Sequence, residues 1–167
     1  MSKCRDKEVR FEFFELKTAK DLIEKAKADF EELKKYPGDS YKAFNFFVTI
    51  EHIADWLKVK NKRGEIPILR IVSHLANGGK HFELSTKRHK SIKATGQDRV
   101  YEEGVFEENV FFEPLVVYLE DSEAEKLKSE VKDLELEENK IDVIKLGEMA
   151  LNYWVEYFKK INNQTQL

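Results

Sequence analysis

The chain has 167 residues, a net charge of -3 and one cysteine, and these values exclude several classes of protein. A domain of this length buries about 70% of the surface that its unfolded chain exposes, so it needs no disulfide framework or structural metal ion for stability. The lone cysteine fits a reducing cytoplasm, residues 1–10 lack the apolar core of a signal peptide, and no segment approaches the roughly 18 apolar residues of a membrane span. We therefore predict one cytoplasmic domain over residues 1–167, with no membrane contact and a frayed polar tail at 162–167.

The N-terminal region predicts a short strand followed by an amphipathic helix. Residues 9–16, VRFEFFEL, alternate between apolar and charged side chains, which favours a strand; a helix running into the next segment is the alternative. Thr18 and Asp21 have the spacing of a capping box, with Asp in place of the usual Glu or Gln. The helix that follows ends near residues 36–38, and its apolar face consists of Leu22, Ala26, Phe30 and Leu33.

A central helix is predicted to begin at Asp39 or Ser40, since either side chain can cap the first free amides. Its apolar residues form two stripes, Ala43, Phe47, Ile50, Ala54 and Leu57 on one side and Phe44, Val48 and Val59 on another. A helix that is apolar on more than one side is usually buried between neighbours. A polar line runs between the stripes and must find hydrogen-bond partners across the core. It consists of Asn45, Thr49, His52 and Asp55.

The next helix is predicted to begin at Pro67, which suits a first helical turn, and to end at Gly78 and Gly79, which are typical of a helix C-terminus. Its polar residues at i, i+4 and i+7 are Arg70, His74 and Asn77, and His81 follows the glycines. The polar link at 60–65 is short, so we expect the two helices to pack antiparallel and to bring His52 close to His74.

Two oppositely charged segments follow. Residues 80–93 show no apolar period, which indicates an exposed loop, and they carry one carboxylate against Lys80, Lys87, Arg88, Lys90 and Lys93. Such a run is usually a solvated surface, and contact with an anion or a nucleic acid is the functional alternative. Residues 102–138 contain fourteen acidic residues against three lysines. This bias either keeps sheet edges soluble and unpaired or folds back electrostatically on the basic loop.

The remaining segments predict a small sheet and two further helices. β-branched and aromatic residues favour strands at 105–106, 110–112, 115–119 and 131–136. Residues 121–130 resemble a surface helix, and residues 141–161 form a long helix whose broad apolar surface closes the core. We predict an α+β fold, a mainly helical single domain of about four helices centred on the pair within 41–77. A small antiparallel β-sheet or hairpin completes it, and the N-terminal strand is a candidate to join that sheet.

A metal site is one hypothesis that spacing supports. It would be a zinc or iron site with the ligands His52, His74, His81 and either Glu51 or Asp55. Two features oppose it, because Glu51 and His52 point about 100° apart on a helix and Arg70 lies one turn from His74. The alternative is a polar core network in which the histidines are satisfied by Asn45, Thr49 or Asn77. The sequence has no phosphate loop, nucleophile elbow, CxxC pair or HExxH motif, and it implies no cofactor.

Two resemblances bear on function. The segments FNFFVTIEHIADW at 44–56 and SHLANGGKHF at 73–82 resemble a pattern in uncharacterised bacterial proteins that prophages often carry, and residues 141–158 are compatible with the same group. That resemblance implies no activity. The chain also resembles the HEPN class of helical proteins, many of which are metal-independent ribonucleases or toxins with an Arg-x4-6-His motif. Here three residues separate Arg70 from His74, which departs from that spacing.

Two hypotheses of different classes follow. The first is a non-enzymatic binding or regulatory module with a macromolecular partner, RNA or protein. Its polar strip would specify packing or binding, and the basic loop or a sheet edge would meet the partner. The strip consists of Asn45, Thr49, His52, Asp55, Asn77 and Lys80.

The second hypothesis, which the HEPN resemblance implies, is a metal-independent ribonuclease or toxin. HEPN-like proteins are often dimers, so the same resemblance implies a homodimer. In it, His74 or His81 would deprotonate the ribose 2′-OH. Arg70 or Lys80 would neutralise charge on the phosphate. The alternative role for Arg70 is an ion pair with Asp55 or a neighbouring carboxylate that orients the helix pair.

Overall fold

The computed structural model describes residues 14–80, 91–97 and 114–164, and every structural statement below concerns these residues. They form a mainly helical α+β domain, as predicted, with six α-helices and one three-stranded sheet. The helices are α1 (Ala19–Lys35), α2 (Ser40–Trp56), α3 (Lys62–Glu65), α4 (Pro67–Lys80), α5 (Asp121–Glu130) and α6 (Val143–Gln164). The strands are β1 (Ile92–Gln97), β2 (Leu115–Leu119) and β3 (Lys140–Asp142), and a 3-10 turn occupies Glu137–Asn139.

The start of α1 confirms the predicted capping box. The backbone N–H of Asp21 donates to Thr18 Oγ1 at 3.3 Å, and the N–H of Thr18 donates to Asp21 Oδ2 at 2.8 Å. Both contacts satisfy amides that lack a partner within the first helical turn. The predicted apolar face is buried along the helix, which ends before Pro37.

Helix α2 is the central helix, also as predicted. Asp39 caps it by accepting hydrogen bonds from the N–H groups of Tyr41 at 2.9 Å and Lys42 at 3.1 Å. The helix contacts α1, α4 and α6, so its buried residues lie on more than one side. They include Ala43, Phe46, Phe47, Ile50, Ile53 and Ala54.

The prediction that Gly78 and Gly79 end the next helix is wrong, because α4 includes both and reaches Lys80. Gly79 instead lies against α2, where an added Cβ would stand 3.1 Å from the Phe44 ring. A glycine at this position therefore permits close packing of the two helices. The contact joins the end of α4 to the first half of α2, which confirms the antiparallel arrangement, and the link between the helices contains α3.

The sheet has the order β1-β2-β3 with antiparallel pairing throughout. The predicted strand at 115–119 and the predicted helix at 121–130 are confirmed as β2 and α5. The prediction of a strand at 131–136 is wrong, since these residues form turns and irregular structure that bury Leu134. Strand β1 was not predicted. Its sequence, IKATGQ, is short and polar and shows no apolar alternation, and its first two residues were assigned to the predicted loop at 80–93.

Several predictions fall partly or wholly outside the described residues. The strands at 105–106 and 110–112 lie there, as do residues 9–13 of the N-terminal strand, whereas Phe14 and Glu15 form a turn. The predicted final helix begins two residues later than expected, since Ile141 and Asp142 belong to β3. Residues 162–164 continue α6 rather than fraying.

The core lies where α6 crosses α1 and α2. Trp154, Phe46 and Leu33 are among its largest fully buried side chains. Gly147 allows this crossing, because a Cβ there would stand 2.7 Å from the ring of Phe46 and 2.9 Å from that of Phe30. None of the described helices is both long enough and apolar enough to cross a membrane.

Candidate functional site

The polar line predicted along α2 separates into different environments. Thr49 is buried against α1, where its Oγ1 donates to Asp29 Oδ2 at 2.8 Å and accepts from Lys25 Nζ at 3.0 Å. Asn45 is exposed. Only His52 and Asp55 share a site, so Thr49 has a partner across the core as predicted, but on α1 and not on α4.

His52 and Asp55 belong to a group of ionisable residues that we call the Glu51 cluster; it consists of Glu51, His52, Asp55, Lys60, Arg63 and Lys80. The Glu51 side chain is only 8% exposed. Arg63 Nε lies 2.9 Å from Glu51 Oε1 but outside hydrogen-bond geometry, so this contact is an ion pair that leaves the buried Nε–H without a hydrogen-bond acceptor. Arg63 Nη2 donates to the Glu51 carbonyl at 2.9 Å and to Asp55.

The position of His52 determines which of its ring nitrogens carries the proton. Its Nδ1 lies 2.7 Å from the Val48 carbonyl and 3.1 Å from Glu51 Oε2. These two acceptors are closer to Nδ1 than the donor Lys80 Nζ, which stands 3.5 Å away, so Nδ1 is the protonated nitrogen. Lys80 Nζ lies 3.4 Å from Nε2, which then accepts when the ring is neutral. His52 is thus a half-exposed histidine whose tautomer is set by its own helix.

The carboxylates of the Glu51 cluster are already paired with cationic side chains, so the cluster is not an open coordination site. Burial raises the pKa of the Asp55 carboxyl, but hydrogen bonds and charge from Arg63 and Lys60 outweigh it and hold that pKa below its ordinary value. Candidate ligand atoms of Glu51, His52 and Asp55 lie within 4.8 Å of one another, despite their different directions on the helix. A divalent cation would compete there with the cations that already neutralise both carboxylates.

The predicted metal ligands are brought together only in part. Among the described residues Glu51, His52 and Asp55 lie close together, but His74 is not a member of this group, and His81 lies outside the described residues. The zinc or iron site with His52, His74, His81 and either Glu51 or Asp55 as ligands stays a prediction.

Two of the predicted residues of α4, Arg70 and His74, belong to a second group, which we call the Glu123 network; it consists of Arg70, His74, Ser91, Glu123 and Lys126. Glu123 of α5 is 6% exposed and receives hydrogen bonds on both oxygens. Arg70 Nε donates to its Oε2 at 2.7 Å, and Lys126 Nζ donates to its Oε1 at 2.8 Å. Burial raises the pKa of the Glu123 carboxyl, but Lys126 and Arg70 outweigh this effect and hold it below its ordinary value.

Ser91 connects this carboxylate to His74. Its hydroxyl donates to Glu123 Oε2 at 3.2 Å, and its backbone N–H donates to His74 Nδ1 at 3.3 Å. His74 Nδ1 is thus an acceptor, and the proton of the neutral ring is on Nε2. The serine hydroxyl faces the carboxylate instead of the histidine, so the three residues do not form a nucleophile–base pair.

Arg70 forms an ion pair, which was the predicted alternative to a catalytic role. Its partner is Glu123 and not Asp55, which pairs with Arg63. Its Nη1 also donates to the Gly64 carbonyl at 2.6 Å. Asn77 donates to the Ser73 carbonyl of its own helix at 2.8 Å. Within the described residues, Arg70 and His74 share the Glu123 network, whereas Lys80 and His52 share the Glu51 cluster.

Local spacing contains no signal for the main partners of these side chains. Glu123 is 53 positions from Arg70, and Ser91 is 17 positions from His74. Arg63 lies in the link that was predicted only as polar and short, eight positions from Asp55. The charge pattern did indicate one such pair. Lys93 of the basic segment 80–93 lies 2.7 Å from Asp121 of the acidic segment 102–138, which is one contact of the predicted electrostatic pairing between the two segments.

The third feature is a groove of about 790 Å³ between the central helices and the sheet, which we call the β1 groove. All six residues of β1 line it. The helical wall is mainly apolar, and Phe44 on that wall is 44% exposed. The residues from helices and β2 that line it are Ser40, Ala43, Phe44, Phe47, Val48, His74, Leu75, Ala76, Gly78, Gly79, Leu115, Val116, Val117 and Val143.

No protein-family model, curated protein or solved structure matches this chain. The resemblances to prophage-carried proteins and to HEPN proteins therefore stay predictions.

Proposed function

We propose that the protein is a non-enzymatic binding module and that the β1 groove receives a segment of a partner polypeptide. The observation that carries this proposal is the groove itself. Its volume of about 790 Å³ falls in the range of ligand sites, and its walls are mostly apolar with a few polar groups. Phe44, a large apolar side chain, is left 44% exposed on its wall.

The polar residues predicted as a catalytic or metal site support the same proposal, because their charged groups are already bound by other residues of the protein. The Arg70 guanidinium is bound by the Glu123 carboxylate and the Gly64 carbonyl, so it has little capacity left to neutralise a phosphate. In the Glu51 cluster both carboxylates face cations. These contacts join α2 to the link and α4 to α5, which is what structural ion pairs do.

A matched pair of variants on α2 tests the proposal. Phe44→Glu places a charge on the groove wall, whereas Tyr41→Glu places the same charge three residues away on a side chain that is 85% exposed and does not line the groove. We would select binders to the unmodified protein from a displayed random peptide library and measure their affinity for each variant. We expect Phe44→Glu to weaken the selected peptides about tenfold or more, because the charge must be desolvated, and Tyr41→Glu to leave them unchanged.

Two results would contradict the proposal. One is that no peptide is enriched on the folded protein. The other is that the enriched peptides respond equally to the two variants, which would place their site away from the groove. Circular dichroism of both variants checks that the helical content is preserved.

A further inference from the structure

We propose that the partner enters the β1 groove as an extended strand added to the outer edge of β1, with apolar side chains at alternate positions. This inference rests on the proposed function, since it names the chemistry and the backbone conformation of the ligand at the same site. It is carried by the topology of the sheet, by the course of the groove and by the charge of its lining.

Among the described strands, one edge of β1 has no pairing partner. In the described sheet, β1 is an outer strand whose only strand partner is β2, over Ile92–Gln97. The N–H and C=O groups on its other edge therefore have no strand partner among the described residues. Such a row of backbone groups is a template for another extended segment, which gains affinity from main-chain hydrogen bonds.

The groove follows that strand over its whole length. All six residues of β1 line it, so the cavity extends for about 20 Å along the strand direction. Ala94 and Gly96 have little or no side chain, which keeps the β1 wall close to the backbone. A rounded ligand would contact part of this wall, whereas an extended peptide matches its length.

The opposite wall specifies the side chains of such a peptide. Successive residues of a strand point to opposite faces, so every second side chain of an added strand would face the helices and the others would face solvent. The helical wall presents Phe44, Val48 and Leu75. The inward positions of the ligand are therefore apolar, and they fill space next to Phe44 that is now exposed to solvent.

The lining charge favours an acidic ligand. The described residues that line the groove include Lys93 and no Asp or Glu. Lys93 already pairs with Asp121, but its side chain is 46% exposed, so its contribution is small and sensitive to salt. The outward positions of the partner are thus polar, and an acidic residue is favoured next to Lys93.

N-methylated peptides separate strand addition from simple apolar binding. The probe is the capped peptide EFEVEFE with a fluorophore, and its affinity is measured by anisotropy. Two modified forms carry N-methyl groups either on the glutamate amides or on the phenylalanine and valine amides. In an added strand, only one of these two sets faces β1, because the N–H groups of successive residues point to opposite edges.

We expect one methylated form to bind about tenfold or more weakly than the probe, since it loses several backbone hydrogen bonds, and the other to bind almost as well. Binding should also be lost in Phe44→Glu and kept in Tyr41→Glu. Equal affinity of both methylated forms, or equal loss by both, would overturn strand addition. The proposed function would still stand in that case if library peptides distinguish the two variants.

Two further outcomes concern the occupant. If the probe does not bind while selected library peptides do, the alternating acidic chemistry is wrong and the groove remains a peptide site. Sedimentation of the protein alone tests a second copy of the chain as occupant. One outcome is that the protein sediments as a dimer that the Phe44→Glu substitution dissociates and that the probe peptide does not displace. This result would overturn the proposal that a different protein occupies the groove.

Discussion

Replacing Glu123 by Gln tests whether the Glu123 network holds α4 and α5 together. The carboxylate is 6% exposed and receives hydrogen bonds from Arg70, Lys126 and Ser91. Gln has the same shape but no charge, and its NH2 group can only donate, so it leaves a mostly buried guanidinium without its counter-ion. Breaking a fully buried pair costs about 3–5 kcal/mol.

The expected cost is smaller here, because the Arg70 side chain is 22% exposed and keeps its bond to Gly64. We expect the free energy of unfolding to fall by about 2 kcal/mol, which corresponds to a decrease of roughly 4–8 °C in Tm for a chain of this size. Urea unfolding at pH 7 measures it. Lys126→Met is the control, because Lys126 is 56% exposed and its pair with Glu123 should contribute no more than about 1 kcal/mol.

A double-mutant cycle with Arg70→Met isolates the contribution of the Arg70–Glu123 pair. We expect Arg70→Met and Glu123→Gln to be strongly non-additive, since either one already breaks the pair. A change below about 0.5 kcal/mol for Glu123→Gln, or an effect no larger than that of Lys126→Met, would refute the reasoning that a buried ion pair orients α5 on α4.

Gly147→Ala should lower the free energy of unfolding by about 1–3 kcal/mol despite a better helix propensity, because the new Cβ would clash with two core phenylalanine rings. Gly64→Ala is the control in the same urea assay. A Cβ at Gly64 would have no atom within 4 Å, so this substitution should be neutral or slightly stabilising. Acid should destabilise the protein. The folded-state pKa values of Glu123 and Asp55 lie below their ordinary values of 4.5 and 3.8, so these carboxyls contribute stability that is present above those values and is lost as pH falls through the folded pKa values. Unfolding measured between neutral pH and about pH 3 should show this loss, and Glu123→Gln should reduce its slope. Expression in bacteria should neither arrest growth nor fragment RNA, since the arginine of the candidate catalytic pair is engaged by a carboxylate. If the unmodified chain does both and His74→Ala at matched soluble levels does neither, the ribonuclease hypothesis replaces the binding module.

Local signals predicted the helical part of the fold well. The capping box at Thr18, the cap at Asp39 and the proline at the start of α4 each act within one helical turn, so they are legible without tertiary information. Strand β2 was also predictable from local sequence, because its residues, LVVYL, form a continuous apolar run. Gly79 shows the limit of such signals, because a glycine that ends a helix and a glycine that admits a neighbouring ring look alike in sequence.

The site was predicted as a set of residues but not as an arrangement. Arg70, His74, His52 and Lys80 were predicted as polar residues of one site on the central pair, and the structure divides them between two groups. Their division depends on Glu123, Ser91 and Arg63, whose positions relative to the central pair follow from how α5, β1 and the link pack on it. No spacing rule contains that information.

The sequence by itself determined the class of fold, the starts of most helices and the apolar face of α1, since these depend on interactions between residues within a few positions of one another. The tertiary structure alone decided which carboxylate meets which cation, where β1 pairs and that a groove lies between the central helices and the sheet. Most of these features join residues far apart in the chain, such as His74 and Ser91 at 17 positions and Arg70 and Glu123 at 53, and their geometry is set by the packing of the whole core rather than by any local pattern.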